Sequence, residues 1–224
     1  MTTALVTGAN KGIGLEIVRQ LVAKNLTVLL GARDPERGEK AAAETGAEFV
    51  QLDVTDPDSV AALAGRLERL DVLVNNAGVT GGAFQRPGSA DVDVIREVFD
   101  TNVFGVVALT DAVLPLLRRS ARPRIVNMSS SVGSLTGMFA DETPISLAYV
   151  PSKSALNAVT VQYAKAEPTI RINAACPGYC ATDLNGHRGY RTAAQGANIA
   201  VTLATLGDDG PTGGFYDDNG VVAW

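Results

Sequence analysis

Cysteine is scarce in this 224-residue chain, histidine is scarcer, and positive charge is not in excess. Cys176 and Cys180 form neither a C-x-x-C pair nor a Cys/His grouping with metal-ligand spacing, so a metal- or disulfide-stapled scaffold is excluded. A reducing, cytoplasmic compartment is the expectation. His187, the one histidine, has no acid or thiol set beside it in sequence and is assigned no role. The formal net charge of -5 argues against nucleic acid and anionic membrane surfaces as partners, because phosphate binding needs clustered Lys and Arg. No apolar run approaches the roughly 20 residues that cross a bilayer, and the chain enters a strand directly after Met1-Thr2-Thr3, so neither a membrane span nor a secretory leader is expected.

What the chain has is apolar content, at 46%, and 23 glycines, the composition of a large core with many tight turns. Short apolar runs at 4–7, 27–32, 48–52, 71–75, 124–128, 170–175 and 214–216 read as strands. Amphipathic stretches between them, at 11–24, from Pro35 onward, at 58–70, at 91–102 continuing to 117, at 152–165 and at 192–206, read as helices. This alternation predicts an α/β chain: a single domain, 1–224, with a doubly wound parallel sheet of about seven strands and helices on both faces. No internal repeat or linker divides it. In such sheets ligands bind beyond the carboxyl ends of the strands, where the loops 78–90, 131–146 and 183–191 fall.

The first strand runs into Thr7-Gly8-Ala9-Asn10-Lys11-Gly12-Ile13-Gly14, and a helix begins inside that turn. Gly8 permits the sharp bend, Gly12 lets backbone approach a pyrophosphate, and Gly14 allows helix to pack closely on strand, with the helix N-terminus facing the anion. This is the Rossmann-type arrangement for a dinucleotide. After the second strand, Ala32 stands where an acid would bind a ribose 2'-hydroxyl, and Arg33 follows it, with Arg37 downstream and Lys11 in the turn. Cations there favour a 2'-phosphate, so NADPH/NADP is expected over NADH. Asp53 is read either as a contact to the adenine amino group or as a helix cap.

Tyr149-Val150-Pro151-Ser152-Lys153 opens a helix, and residues four apart share a face, so the Lys153 ammonium is expected to lower the Tyr149 pKa and make the phenol an acid/base. Ser130, in the serine cluster after the strand at 124–128, is chosen to polarise a substrate carbonyl, with Ser129 and Ser131 as local alternatives. Asn102 is a poor helix former within a helical stretch; it is expected to break the ladder there and hold a water linking Lys153 to solvent. Met138, Phe139, Tyr179 and Leu184 are read as an apolar substrate wall or, equally, as core filling.

Together, Thr7-Gly8 to Gly14, Asn75-Asn76-Ala77-Gly78, Asn102, Ser130, Tyr149-x-x-x-Lys153 and Pro177-Gly178 resemble the ordered motifs of the short-chain dehydrogenase/reductase superfamily. The segments from Gly8 to Val18, Ala32-Arg33-Asp34, Cys176-Pro177-Gly178 and Gly210-Pro211 to Trp224 resemble its carbonyl reductase branch. The resemblance implies a catalytic tetrad of Asn102, Ser130, Tyr149 and Lys153. It implies a cofactor groove lined by Gly8, Asn10, Lys11, Gly12, Ile13, Gly14, Arg33, Asp53, Val54, Asn76, Ala77 and Gly78, with Tyr149 and Lys153 at the ribose and Pro177, Gly178, Cys180, Ala181 and Thr182 at the nicotinamide. Reduction of a small-molecule ketone or aldehyde is the implied reaction; an alcohol or hydroxysteroid-type dehydrogenase and a non-catalytic NADP(H)-binding sensor are the alternatives. Between Ser130 and Tyr149 the chain is shorter than in animal carbonyl reductases, whose insertion keeps them monomeric. A homo-oligomer, dimer or tetramer, through the Tyr149 helix is therefore expected. The link 166–169 is also short for the family.

Overall fold

The computed structural model describes residues 2–82, 85–139 and 144–224. Along the first strand, β1 (Thr3–Thr7), Ala4 and Val6 enter one core and Leu5 the other, all fully buried. A strand buried on both faces belongs inside a parallel sheet. β1 lies between β2 (Thr27–Ala32) and β4 (Val72–Asn75) in the order β3-β2-β1-β4-β5-β6-β7-β8, where β3 is Glu48–Gln51, β5 Arg124–Met128, β6 Arg171–Ala175, β7 Phe215–Asp217 and β8 Gly220–Val221. The first seven pair in parallel. β8 turns back antiparallel on β7 and is one strand more than the sequence predicts; at two exposed residues it is too short to carry an alternating pattern.

Helices α1 (Gly12–Ala23), α2 (Pro35–Thr45) and α7 (Ala193–Ala204) supply one core. α3 (Pro57–Arg66), α5 (Gly105–Leu117) and α6 (Tyr149–Ala166) supply the other. Chain order reverses between β1 and β4, which opens the crevice where such sheets bind ligands. Side chains of Asp34, Asp56 and Thr192 cap α2, α3 and α7, and Asp91 caps α4 (Val92–Phe99). α1 differs from these: Lys11 at its N-cap makes no capping hydrogen bond and its first turn carries no acid, so its leading N–H groups are left for a ligand in the crevice.

Val92–Leu117 is one helical run of 26 residues, long and apolar enough by length and composition to span a bilayer, although Asp93, Arg96, Glu97, Asp100 and Asp111 interrupt its apolar residues. Its Val98, Leu109, Val113 and Leu117 are fully buried in the fold. Within it, Asp100–Phe104 form a π-helical turn, so the ladder does break at Asn102. α6 starts three residues before the expected 152–165. The Tyr149 N–H donates to the Ser146 hydroxyl at 3.1 Å, and Pro151 sits in the first turn, where its missing N–H costs nothing.

A buried polar ladder ties α6 to the sheet. Asn75 Nδ2 donates to Asn127 Oδ1 at 2.8 Å, and Asn127 Nδ2 donates to Thr160 Oγ1 at 2.9 Å. Asn127→Val removes the nearer acceptor of Asn75 Nδ2, leaving it only Thr110 Oγ1 at 3.2 Å, and takes the donor from Thr160 Oγ1, so urea unfolding is expected to show a loss of roughly 1–3 kcal/mol; an unchanged midpoint would mean that the ladder contributes nothing.

Candidate active site

The glycine turn is shaped by contacts as well as by backbone freedom. Gly8 has φ +60°, and a Cβ there would lie 2.8 Å from Ala77 Cα; Gly12 has φ +58°. A Cβ on Gly14 would lie 2.4 Å from Asn76 Nδ2 and 2.7 Å from the Gly8 carbonyl oxygen, so helix and strand meet there as expected. Asn76 Nδ2 donates to the carbonyls of Thr7 and Gly8 at 2.8 and 3.1 Å. The Thr7 hydroxyl accepts from the N–H groups of Asn76 and Ala77 at 3.0 and 2.9 Å. Asn76-Ala77-Gly78 thereby clamps the turn, and Thr7, which heads the motif in the sequence but was given no role there, supplies the hydroxyl that accepts from it.

Tyr149, Lys153 and Ser130 come together. Lys153 is buried; its Nζ donates to the Met128 carbonyl at 2.8 Å and lies 5.6 Å from the Tyr149 ring centroid. Burial pushes its pKa down to about 8. Tyr149 keeps some exposed surface, yet desolvation pushes its phenol up to about 12, against the lowering effect of a hydrogen bond with Ser130; the buried Cys176 thiol beside it raises it further. This differs from the expected lowering by Lys153: the ring packs in a low-dielectric site where phenolate is disfavoured. The serine alternatives separate cleanly. Ser129 is buried and donates to Asn157 Oδ1 at 2.5 Å, Ser131 opens a short 3₁₀ turn, and Ser130 is the one hydrogen-bonded to the phenol.

Asn102 is fully buried, and its side chain is spent on protein groups: Oδ1 accepts from the Val79 N–H, and Nδ2 donates to the Val79 carbonyl, each at 2.9 Å, and to Ser152 Oγ at 3.0 Å. Ser152 Oγ in turn donates to the Tyr149 carbonyl at 2.7 Å, so Asn102 steadies the first turn of α6. A Cβ on Gly78 would lie 3.3 Å from Asn102 Oδ1 and 3.6 Å from Lys153 Nζ; the missing side chain leaves open the space between them.

At the other end of the crevice, a cavity of about 460 Å³ is lined by Asn10, Lys11, Arg37 and Lys40, with Glu44 and Asp183. Lys40, one turn beyond Arg37 on α2, was missed in the sequence. Lys11 pairs with Asp183 at 2.7 Å, and Asp183 also meets His187 at 2.9 Å. Arg33 is exposed and close enough to Asp53 to favour its carboxylate. Burial raises the Asp53 pKa, but hydrogen bonds from Thr55 outweigh it and hold the carboxyl below its usual range. Its oxygen accepts from the Thr55 N–H and hydroxyl at 2.9 and 2.7 Å, while Asp56 caps the helix, so the cap reading of Asp53 is corrected to a turn. Ile13 and Val54 are partly buried near these elements.

Beyond β6, Pro177, Gly178, Cys180, Ala181 and Thr182 form a wall against the glycine turn, the Thr182 methyl lying 3.6 Å from a Cβ built on Gly12. Phe139 is 98% exposed, and Tyr179 and Leu184 are exposed too, so these residues do not fill the core and stand on the rim. Parts of two expected substrate loops, 83–84 and 140–143, lie outside the described residues.

The family model for short chain dehydrogenase matches residues 2–192. The chain belongs to the short chain dehydrogenase family. Within it the chain falls in the carbonyl reductase-like branch. It is 36% identical to (-)-isopiperitenone reductase of Mentha piperita over 305 aligned positions, covering 98% of this chain and 97% of the relative. It is 34% identical to carbonyl reductase [NADPH] 1 of Rattus norvegicus, covering 99% and 98%. Among solved structures it resembles the NADPH-bound carbonyl reductase from chicken fatty liver, with a TM-score of 0.88, 29% identity and coverage of 100% and 99%. Salutaridine reductase from Papaver somniferum superposes with a TM-score of 0.86 at 31% identity, covering 96% and 99%. An alignment of 305 positions against 224 residues means that the Mentha piperita relative carries segments with no counterpart here. This short chain dehydrogenase is thus a carbonyl-reducing oxidoreductase that uses a nicotinamide cofactor.

Because Lys153 titrates near 8 when folded and near 10.5 when unfolded, the unfolded chain holds the extra proton between those values. Stability contributed by this group therefore rises with pH across that window. Lys153→Met is expected to remove that rise in denaturant titrations run at successive pH values; an identical slope in both proteins would contradict the burial of the ammonium.

Proposed function

We propose that this short chain dehydrogenase reduces a ketone or aldehyde to an alcohol with NADPH, through Ser130, Tyr149, Lys153 and Asn102. The residues present fit a dinucleotide: α1 is uncapped, Gly14 has no room for a side chain, and Lys11, Arg37 and Lys40 gather at one cavity. Its whole length, 1–224, is taken as one NAD(P)-binding domain. The nicotinamide supplies the hydride. Ser130 donates to the carbonyl oxygen, steadying negative charge on it, and Tyr149 Oη gives up its proton to that oxygen. Lys153 holds the ribose and, as an ammonium near the ring, lowers the cost of the phenolate that remains. Asn102 keeps the first turn of α6 in place and stands at the start of the proton path from Lys153.

The Ser130–Tyr149 hydrogen bond beside the Lys153 ammonium is the observation that carries this reading. A phenol held at about 12 carries its proton at neutral pH, the form from which reduction starts. NADPH is supported by the cation cluster, by Ala32 where an acid would repel a 2'-phosphate, and by relatives named for NADPH. Arg33, Asp53 and Val54 bound the adenosine end, while Pro177, Gly178, Cys180, Ala181 and Thr182 face the nicotinamide. The two free, buried thiols suit a reducing compartment, and the cytoplasm is the proposed location. Contact between copies through α6 is proposed from the short segment that precedes it.

Tyr149→Phe is expected to cut turnover of activated carbonyls by more than about 100-fold while NADPH binding, followed by nicotinamide fluorescence, stays intact. Near-normal turnover would assign the proton to another group. Arg37→Ala combined with Lys40→Ala should raise the Michaelis constant for NADPH about ten-fold or more and leave that for NADH unchanged; equal effects on both would remove the 2'-phosphate assignment.

A further inference from the structure

The last ten residues touch both loops that border the site, at two separate points. On one side, the Trp224 carbonyl accepts from the Thr136 N–H at 3.1 Å and from the Thr136 hydroxyl at 2.7 Å. Its indole stacks on Phe215 with ring centroids 5.5 Å apart and planes 20° from parallel. Phe215 is fully buried against Cys176, and the Cys176 sulfur accepts the Ser131 N–H at 3.2 Å. Thus the loop that follows Ser130 is held from beneath through Cys176 and at its outer turn through Trp224. On the other side, Asp218, in the turn between β7 and β8, forms an ion pair with Arg191. Arg191 lies against Gly178, where a Cβ would come within 2.7 Å of its Cδ, and its main chain bridges to Cys180 and bonds Tyr179 and Ala181.

We infer that the β7–β8 hairpin and its tail are a positioning clamp for the proposed active site, Trp224 fixing the serine loop and Asp218 fixing the loop after β6. The inference rests on the site reading above but concerns residues that touch neither the reacting atoms nor the polar tetrad. Gly133 is held to α6 by Ser154 and Asn157, and Asn185 ties the second loop to Cys180, but Leu135, Phe139 and Tyr190 leave the outer parts of these loops exposed, and the hairpin anchors them from a third side. A carbonyl must sit within hydrogen-bond reach of Ser130 and Tyr149 for hydride transfer, and small displacements of a positioning wall are costly to rate. The substrate side then depends on Trp224, and the nicotinamide side on Asp218.

Amide hydrogen exchange and steady-state kinetics on the full chain test this together. Trp224→Ala should speed exchange about ten-fold or more at 131–137 and not at 177–191, and Asp218→Asn should do the reverse. Trp224→Ala should raise the Michaelis constant for the carbonyl with NADPH affinity unchanged; Asp218→Asn should weaken NADPH. Thr136→Val, which deletes one hydrogen bond and no core packing, should reproduce the carbonyl effect at about five-fold, and Thr136→Ser should restore it. That pair keeps the test open if Trp224→Ala does not fold. Exchange unchanged in both loops, or speeded equally throughout the chain, overturns the clamp. If wild type turns over no carbonyl, the function proposed above fails while the exchange pattern still decides the clamp.

Discussion

An ammonium group inside the core, held by one carbonyl oxygen, is the constraint on which the site depends. Lys153 Nζ reaches Met128 at the end of β5, and burial alone depresses its pKa to about 8. Such a charge is tolerated only where the surroundings fix it. α6 is accordingly fastened along its length: Ser152 to Asn102, Asn157 to Ser129, and Thr160 to Asn127, each through a buried hydrogen bond. Gly133 completes the fit, since a Cβ there would come within 2.7 Å of the Lys153 backbone. The polar groups in this core therefore serve alignment of one helix on the middle of the sheet.

The same burial acts with opposite sign on the two titrating groups. It makes the phenol a reluctant acid and the lysine a readier one, which drives their pKa values apart, to about 12 and about 8. Ser130 offsets part of the penalty on the phenol by hydrogen-bonding it. In the proposed reaction the proton given up by Tyr149 would be replaced from the lysine side, where Gly78 leaves space beside Asn102.

Much of this was legible in the sequence because it was local. Gly8, Gly12 and Gly14 stand at fixed offsets in one turn, Tyr149 and Lys153 share one helical face, and seven strands announced themselves as apolar runs. Asn102 disclosed a break in the helix, though a π-turn and its bonds to Val79 and Ser152 could be seen only once distant segments met. Thr7 bonds Asn76 across 69 residues of chain, Cys176 bonds Ser131 across 45, Lys40 reaches its cavity through the placing of α2, and β8 was too short for a pattern. The sign of the Tyr149 shift was missed for the same reason: a neighbouring cation is visible in a motif, whereas desolvation is a property of the packed whole.

The most direct test of the account is the titration of Lys153 itself, by NMR of the carbon next to Nζ in lysine-labelled protein, with the resonance assigned through Lys153→Met. The expected midpoint is near 8. A midpoint near the ordinary 10.5 would mean that the ammonium is solvated, and the arrangement argued here would not stand.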